Sequence, residues 1–205
     1  MSNWDNISAF QLDVLKEIGN VGAGGAASAL ATLLNKKVDM AVPKAGVMNF
    51  DEIFKLIGDE EKIISCTNFN VTGDAPSKIL FILDESGTYQ LADMLLGRPL
   101  GETKELDQIS ISTIKEVGNI LTGSFITSFS EFTRLDFVGS VPAFAFDMLG
   151  AVLSAAFFEA GYFDDRVLII ETTFFEEDVA INGHFFLVPS TGSLEVIFNS
   201  LGLNV

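Results

Sequence analysis

The hexapeptide Leu15-Lys16-Glu17-Ile18-Gly19-Asn20 returns, class for class, as Ile114-Lys115-Glu116-Val117-Gly118-Asn119. A repeat at a fixed spacing of 99 residues (17 to 116) confines the chain to folds made of two copies of one element order. The register runs without a gap from Asp13–Pro43 to Ser112–Pro142, placing Lys16, Glu17, Gly19, Asn20, Gly24, Val42 and Pro43 on Lys115, Glu116, Gly118, Asn119, Gly123, Val141 and Pro142. Farther on the spacing grows to 105, with Gly87 and Gly97 meeting Gly192 and Gly202.

Each copy reads as the same succession. Ser8 with Gln11 forms a capping box, and Phe10, Leu15, Ile18, Gly22, Ala26, Ala29 and Leu33 recur at helical spacing, which predicts a long helix over about 8–34. Val38–Val42 reads as a short strand closed by Pro43, and Phe50–Ile57 as two helical turns ended at Gly58. Lys62–Val71 and Lys78–Leu83 are β-rich runs joined by the turn residues Thr72 to Pro76, and Ser86–Leu96 is a helix stopped at Gly97. After the polar link Gly101–Asp107 the order begins again, with the hairpin repeated in Arg166–Glu176 and His184–Val188. The spacing predicts a longer second short helix over Phe146–Ala160, which accounts for the added length.

Two independent domains of about 100 residues with three strands each would leave a sheet face hard to cover. The expected fold is therefore α/β, of α+β type: a pseudo-twofold duplication with one shared, largely antiparallel six-stranded sheet flanked by helices. Residues 1–205 then form a single domain built of two pseudorepeats, about 1–100 and 101–205.

Composition narrows the function. Twelve basic against 28 acidic residues give a net charge of −16, which repels a phosphate backbone and argues against a nucleic-acid partner. No apolar run reaches the roughly 18–20 residues of a bilayer span, and Met1–Asp13 has no basic region followed by an apolar segment, so a cytoplasmic protein is expected. The one cysteine, Cys66, lies in an apolar alternating run and reads as a buried thiol.

The repeated helix carries the chemistry. With Asp13 as zero, successive steps of about 100° put Glu17 near 40°, Asn20 near 340° and Gly24 near 20°, one stripe, while Leu15, Ile18 and Gly22 fall on the opposite face. Ser112, Glu116, Asn119 and Gly123 take the same angles on the second helix, with Ile114, Val117 and Leu121 behind them. Both helices thus present a carboxylate and a carboxamide one turn apart to solvent. A carboxamide donates and accepts, so it can hold a water in line with a phosphorus atom, and a carboxylate can fix a partner's Lys. No adjacent Ser, Cys or Lys with an activating base is present for nucleophilic catalysis. Such a pair suits a labile phosphoanhydride held in a partner's own metal site. Gly19 and Gly22 are expected to pack closely on the sheet, and Gly24 and Gly123 to clear space for another macromolecule.

At these residues the sequence resembles the CheC/CheX/FliY family of response-regulator phosphatases, whose signature is Asp or Ser, three residues, Glu, two residues, Asn, then 22 residues and Pro. Asp13, Glu17, Asn20 and Pro43 form one match, and Ser112, Glu116, Asn119 and Pro142 another; two intact sites resemble the CheC branch more than CheX. The resemblance implies hydrolysis of the aspartyl-phosphate of a chemotaxis response regulator of CheY type. Glu17 and Glu116 would pair with a regulator Lys, and Asn20 and Asn119 would orient the water. It implies no intrinsic cofactor, Mg²⁺ being held by the regulator, and a second partner, a CheD-type deamidase. Asp147 and Met148, in the segment opening the longer helix, are the CheD-docking residues it suggests.

Other readings carry less. Gly22-Ala23-Gly24-Gly25-Ala26-Ala27 fits a loose dinucleotide fingerprint, but a helix rather than a strand precedes it and the second copy abandons it. A glycosidase-like pairing of Glu17 with Glu116 requires a common cleft, whereas the repeat implies two separate sites. His184, the single histidine, has no companion at metal spacing and reads as structural. The remaining rival is a non-catalytic chemotaxis adaptor that binds CheD or a flagellar-switch partner through the same helices.

Overall fold

The computed structural model describes residues 7–34, 37–42, 45–159, 167–176 and 179–203. Each half follows one order of elements. The first contains α1 (Ala9–Leu34), β1 (Asp39–Ala41), β2 (Ala45–Met48), α2 (Phe50–Ile57), β3 (Ile63–Gly73), β4 (Ser77–Asp84) and α3 (Glu85–Leu96). The second contains α4 (Gln108–Thr133), β5 (Phe137–Gly139), β6 (Ala143–Met148), α5 (Leu149–Glu159), β7 (Val167–Glu176), β8 (Val179–Pro189) and α6 (Ser193–Ser200). Local chemistry sets the ends. Ser8 Oγ accepts from Gln11 N–H at 3.2 Å while Gln11 Oε1 accepts from Ser8 N–H at 2.6 Å, the reciprocal box that starts α1. Asp107 caps α4 through Ser110 N–H at 2.7 Å. Gly97 and Gly202, with φ of 65° and 73°, follow α3 and α6 in the left-handed region that glycine enters without a Cβ penalty.

The strands form one eight-stranded sheet in the order β1-β7-β8-β4-β3-β5, with β2 also on β7 and β6 also on β3. Every pairing is antiparallel. The expected six strands are present as six lanes, because each edge lane is broken in two. The break between β5 and β6 holds Pro142, which has no N–H to give a ladder. Pro43, its counterpart, lies outside the described residues. The edge lanes are also exchanged: β1 and β2 of the first half pair with β7 of the second, and β5 and β6 of the second pair with β3 of the first.

Helices cover both faces. On one, Leu15, Ile18, Val117, Leu121 and Phe125 of α1 and α4, with Leu91 of α3 and Phe198 of α6, pack on Phe69, Phe81, Leu168 and Phe185. On the other, Ile53 and Ile57 of α2 and Leu149, Leu153 and Phe157 of α5 pack on Cys66, Leu80, Ile82, Ile169 and Phe186. Central strand β4 is therefore buried from Ser77 to Leu83 without alternation, as a strand covered on both faces must be.

Two expectations are corrected. Phe146–Met148 belong to β6 rather than to the following helix, since Phe146, Asp147 and Met148 pair with Ser65, Ile64 and Ile63; α5 begins at Leu149. The expected helix end at Ala160 and strand start at Arg166 lie outside the described residues. Gly22 meets the other long helix and not the sheet: a Cβ there would sit 3.1 Å from Phe125 Cα. Gly19 does face the sheet, with its added Cβ 3.2 Å from Ile170 Cγ2. A link between the halves was also missed. Asp93, fully buried, accepts from the backbone N–H of Gly101, Glu102 and Thr103 at 2.7, 3.1 and 2.9 Å and so ties the linker to α3.

Candidate active site

The helical angles place the residues as expected. Asp13, Glu17, Asn20 and Gly24 are exposed along α1, and Ser112, Glu116, Asn119 and Gly123 are exposed along α4, whereas Leu15, Ile18, Ile114, Val117 and Leu121 are at most 1% accessible. Glu and Asn three residues apart lie about 4.5 Å apart along the axis on one side of the helix. Pro142 is half-buried in the break between β5 and β6, beside Val141, which is 90% exposed.

The two helices touch where the side chains of α1 are smallest. Besides the Gly22–Phe125 approach, a Cβ on Gly25 would lie 3.7 Å from Ser124 Oγ, and Gly25 and Ser124 are themselves equivalent in the repeat. Gly24 and Gly123 have nothing within 4 Å of an added Cβ, so no contact among the described residues calls for glycine there. Their carbonyls each accept a hydroxyl from the next turn, Ser28 Oγ at 3.0 Å and Thr127 Oγ1 at 2.8 Å. Those hydroxyls occupy equivalent positions and escaped the sequence reading, although both lie inside the same 99-residue register, four residues past each glycine. They are directed at the backbone, so neither is a nucleophile poised beside a base. An open furrow of about 420 Å³ joins Asn119, Gly123 and Thr127 of α4 to Val21, Gly25 and Ala29 of α1.

A carboxylate and a carboxamide on an exposed helix face cannot enclose a small substrate, which a pocket would bury on most sides. The arrangement can position a water and a cation only against a surface brought by another macromolecule.

The remaining candidates lie apart from these stripes. Asp147 and Met148 are exposed on β6, at the sheet edge, and Asp147 Oδ1 accepts from Met148 N–H at 2.7 Å. His184 borders a polar recess with Lys62, Asp84 and Glu171; its Nδ1 is buried without a partner, and burial pushes its pKa down to about 4, which keeps the ring neutral. Cys66 is buried and its thiol is pushed up to about 12 by burial. Among the described residues no three His, Cys, Asp or Glu side chains form a group that could hold a metal ion, and no helix is long and apolar enough to cross a membrane.

Comparison with known proteins agrees with this geometry. The model of the CheC-like family matches residues 10–47 and 109–145, the two long helices and the edge strands after them. The CheY-P phosphatase CheC of Bacillus subtilis is 34% identical over 209 residues, covering 100% of both chains. The flagellar motor switch phosphatase FliY of the same organism is 32% identical over 127 residues, 62% of this chain and 33% of that one. Among solved structures, Thermotoga maritima FliY superposes with a TM-score of 0.78 at 20% identity, covering 96% of this chain and 98% of that one. With 34% identity to one relative over the whole length of both chains, and the family's two matched segments falling on the two striped helices, the chain belongs to the CheC-like family.

Proposed function

We propose that this protein is a phosphatase that hydrolyses the aspartyl-phosphate of a CheY-type chemotaxis response regulator, at two equivalent stations, Glu17 with Asn20 and Glu116 with Asn119. The observation that carries the reading is that both long helices expose the same stripe, in the same register, above buried apolar faces. The B. subtilis relative that matches along its whole length is named for this activity.

In the proposed mechanism the regulator contributes the acyl phosphate and its Mg²⁺, and the phosphatase contributes geometry. The Asn carboxamide oxygen accepts one proton of a water while its amide donates to the phosphoryl group, holding the water oxygen in line with phosphorus. The water attacks, the bond between phosphorus and the aspartyl oxygen breaks, and the Asp carboxylate leaves with the bonding electrons. Inorganic phosphate departs with the water's oxygen. Glu17 or Glu116 pairs with a regulator Lys and fixes the register of approach. Gly24 and Gly123 leave room for the partner's backbone, and Asp13, Ser112, Pro43 and Pro142 complete the motif around each station.

The same reading takes residues 1–205 as one cytoplasmic domain of two pseudorepeats, with no cofactor of its own. It assigns a CheD-type deamidase to the corner where β6 meets α5, where Asp147 and Met148 are exposed and Met148 is 43% accessible.

The test is loss of ³²P from phosphorylated regulator with and without the protein and its Asn20→Ala/Asn119→Ala variant. Acceleration that falls about 10²-fold in the double variant, with regulator binding retained, supports catalysis. Acceleration unchanged in the double variant removes the assigned stations, and binding without acceleration leaves an adaptor.

A further inference from the structure

We propose that the two stations share one docking surface, so that a regulator bound at either excludes a second; this rests on the phosphatase reading above and concerns its stoichiometry. The first observation is orientation. A twofold relating the halves exchanges β4 and β8, which are antiparallel neighbours at the centre of the sheet, and keeps α1 and α4 on the same face. The axis is therefore normal to the sheet and the two helices run antiparallel.

The second observation fixes where they cross. Gly22 approaches Phe125, the counterpart of Ala26, and Gly25 approaches its own counterpart Ser124, so the crossing lies between positions 24 and 25 of α1. Asn20 and Asn119 then stand on opposite sides of the crossing, about 13.5 Å apart along the helices by a rise of 1.5 Å per residue. Adding an interaxial separation of about 9 Å places the two carboxamides about 16 Å apart.

The third observation is that the ground between them is common. The furrow beside Asn119 and Gly123 has Val21, Gly25 and Ala29 of the other helix as its far bank, and Val21 is 43% exposed. A transient encounter that buries about 600 Å² on each side covers a patch about 28 Å across, and even 400 Å² covers about 22 Å. A partner domain of 100 residues has a radius of gyration of about 13 Å. Two such partners centred about 16 Å apart on one face overlap. The duplication therefore raises the number of productive orientations, not the number of regulators held.

Titration calorimetry with a beryllofluoride- and Mg²⁺-loaded CheY-type regulator into the full chain tests this. One regulator per chain is expected for the wild type, and also for Glu17→Lys and for Glu116→Lys, each with about a twofold weaker affinity because one of two orientations is lost; the double variant loses binding. Two regulators per wild-type chain, falling to one in either single variant, overturn the proposal. Abolished binding in one single variant also overturns it, since only one station would then dock. Absence of both binding and accelerated phosphate loss in the wild type overturns the phosphatase reading instead, so the two failures are distinct.

Discussion

Helices α1 and α4 have the same length, the same exposed stripe and opposite interiors. Between positions 22 and 27, α1 reads Gly-Ala-Gly-Gly-Ala-Ala where α4 reads Leu-Thr-Gly-Ser-Phe-Ile. The two are complementary: Phe125 is fully buried, its ring stacked on Phe185 at 4.2 Å, and it occupies the space that Gly22 leaves open. One helix is small so that the other can be large. The comparison separates two causes for glycine that the sequence presents alike, contact within the chain at Gly22 and open surface at Gly24.

The sharpest way to break this complementarity is Phe125→Ala, which removes the large member from a site where α1 offers only Gly19 and Gly22. A loss of about 3–5 kcal/mol is expected, read as a lower urea midpoint. A loss below about 1 kcal/mol would mean that the helices close over the gap and that the pairing of large with small is dispensable.

The repeated glycines of the signature give the next comparison. A Cβ on Gly118 would lie 2.7 Å from Thr67 Cγ2, whereas one on Gly19 would lie 3.2 Å from Ile170 Cγ2. Thr67 is buried and β-branched, with little rotamer freedom. Gly118→Ala is expected to destabilise by about 1–3 kcal/mol, more than Gly19→Ala, even after the helix-propensity gain of about 1 kcal/mol. Equal effects in thermal unfolding would show that the two helices sit at the same height over the sheet.

Gly24→Ala and Gly123→Ala separate surface from interior by sign. With no neighbour within 4 Å, each should stabilise by about 0.5–1 kcal/mol. Each should also slow regulator dephosphorylation if the bare backbone is needed for approach. Stabilisation with undiminished turnover would remove any role for these glycines in docking.

The exposed stripes were legible because helical phase depends only on residue number, so Asp13, Glu17 and Asn20 could be set on a face without knowing what the other face touched. Why helices cover both sheet faces is visible in β4, whose apolar run Ile79–Leu83 has no solvent side, although from sequence that run reads only as β-rich. The exchanged edge lanes were not legible: β1 and β2 pair with β7, more than 100 residues away, and nothing in Asp39–Met48 names that partner. Met148 was misplaced for a related reason. Phe144 to Phe157 is an apolar run that suits a strand or a buried helix, and pairing of Ala143–Met148 with β3, a tertiary contact, divides it at Leu149. Asp93 gave no signal because a lone Asp near a helix end looks like surface until the folded linker brings three N–H groups to it.

The smallest expected effect distinguishes the stations themselves. Across the furrow from Asn119 stands Ala29, with Gly25 beside it; by the symmetry of the antiparallel pairing their counterparts Ser128 and Ser124 fall on the Asn20 side, Ser124 half-buried and Ser128 only 4% accessible. The bank facing Asn119 therefore carries no side-chain hydrogen-bonding group, and the bank on the Asn20 side carries one half-buried hydroxyl, Ser124, that can compete for a water or for the carboxamide. Asn119→Ala should accordingly cost more turnover than Asn20→Ala, by about twofold, since each variant keeps the other station and an alternative hydrogen bond to a hydroxyl is worth little in a solvated groove. Phosphate release from the two single variants under identical regulator concentration measures the ratio. Adding Ser124→Ala to Asn119→Ala should then raise the activity of the remaining first station toward that of the second. If it does not, the hydroxyl bank is inert and the stations differ, where they differ, through the helix backbone beneath them.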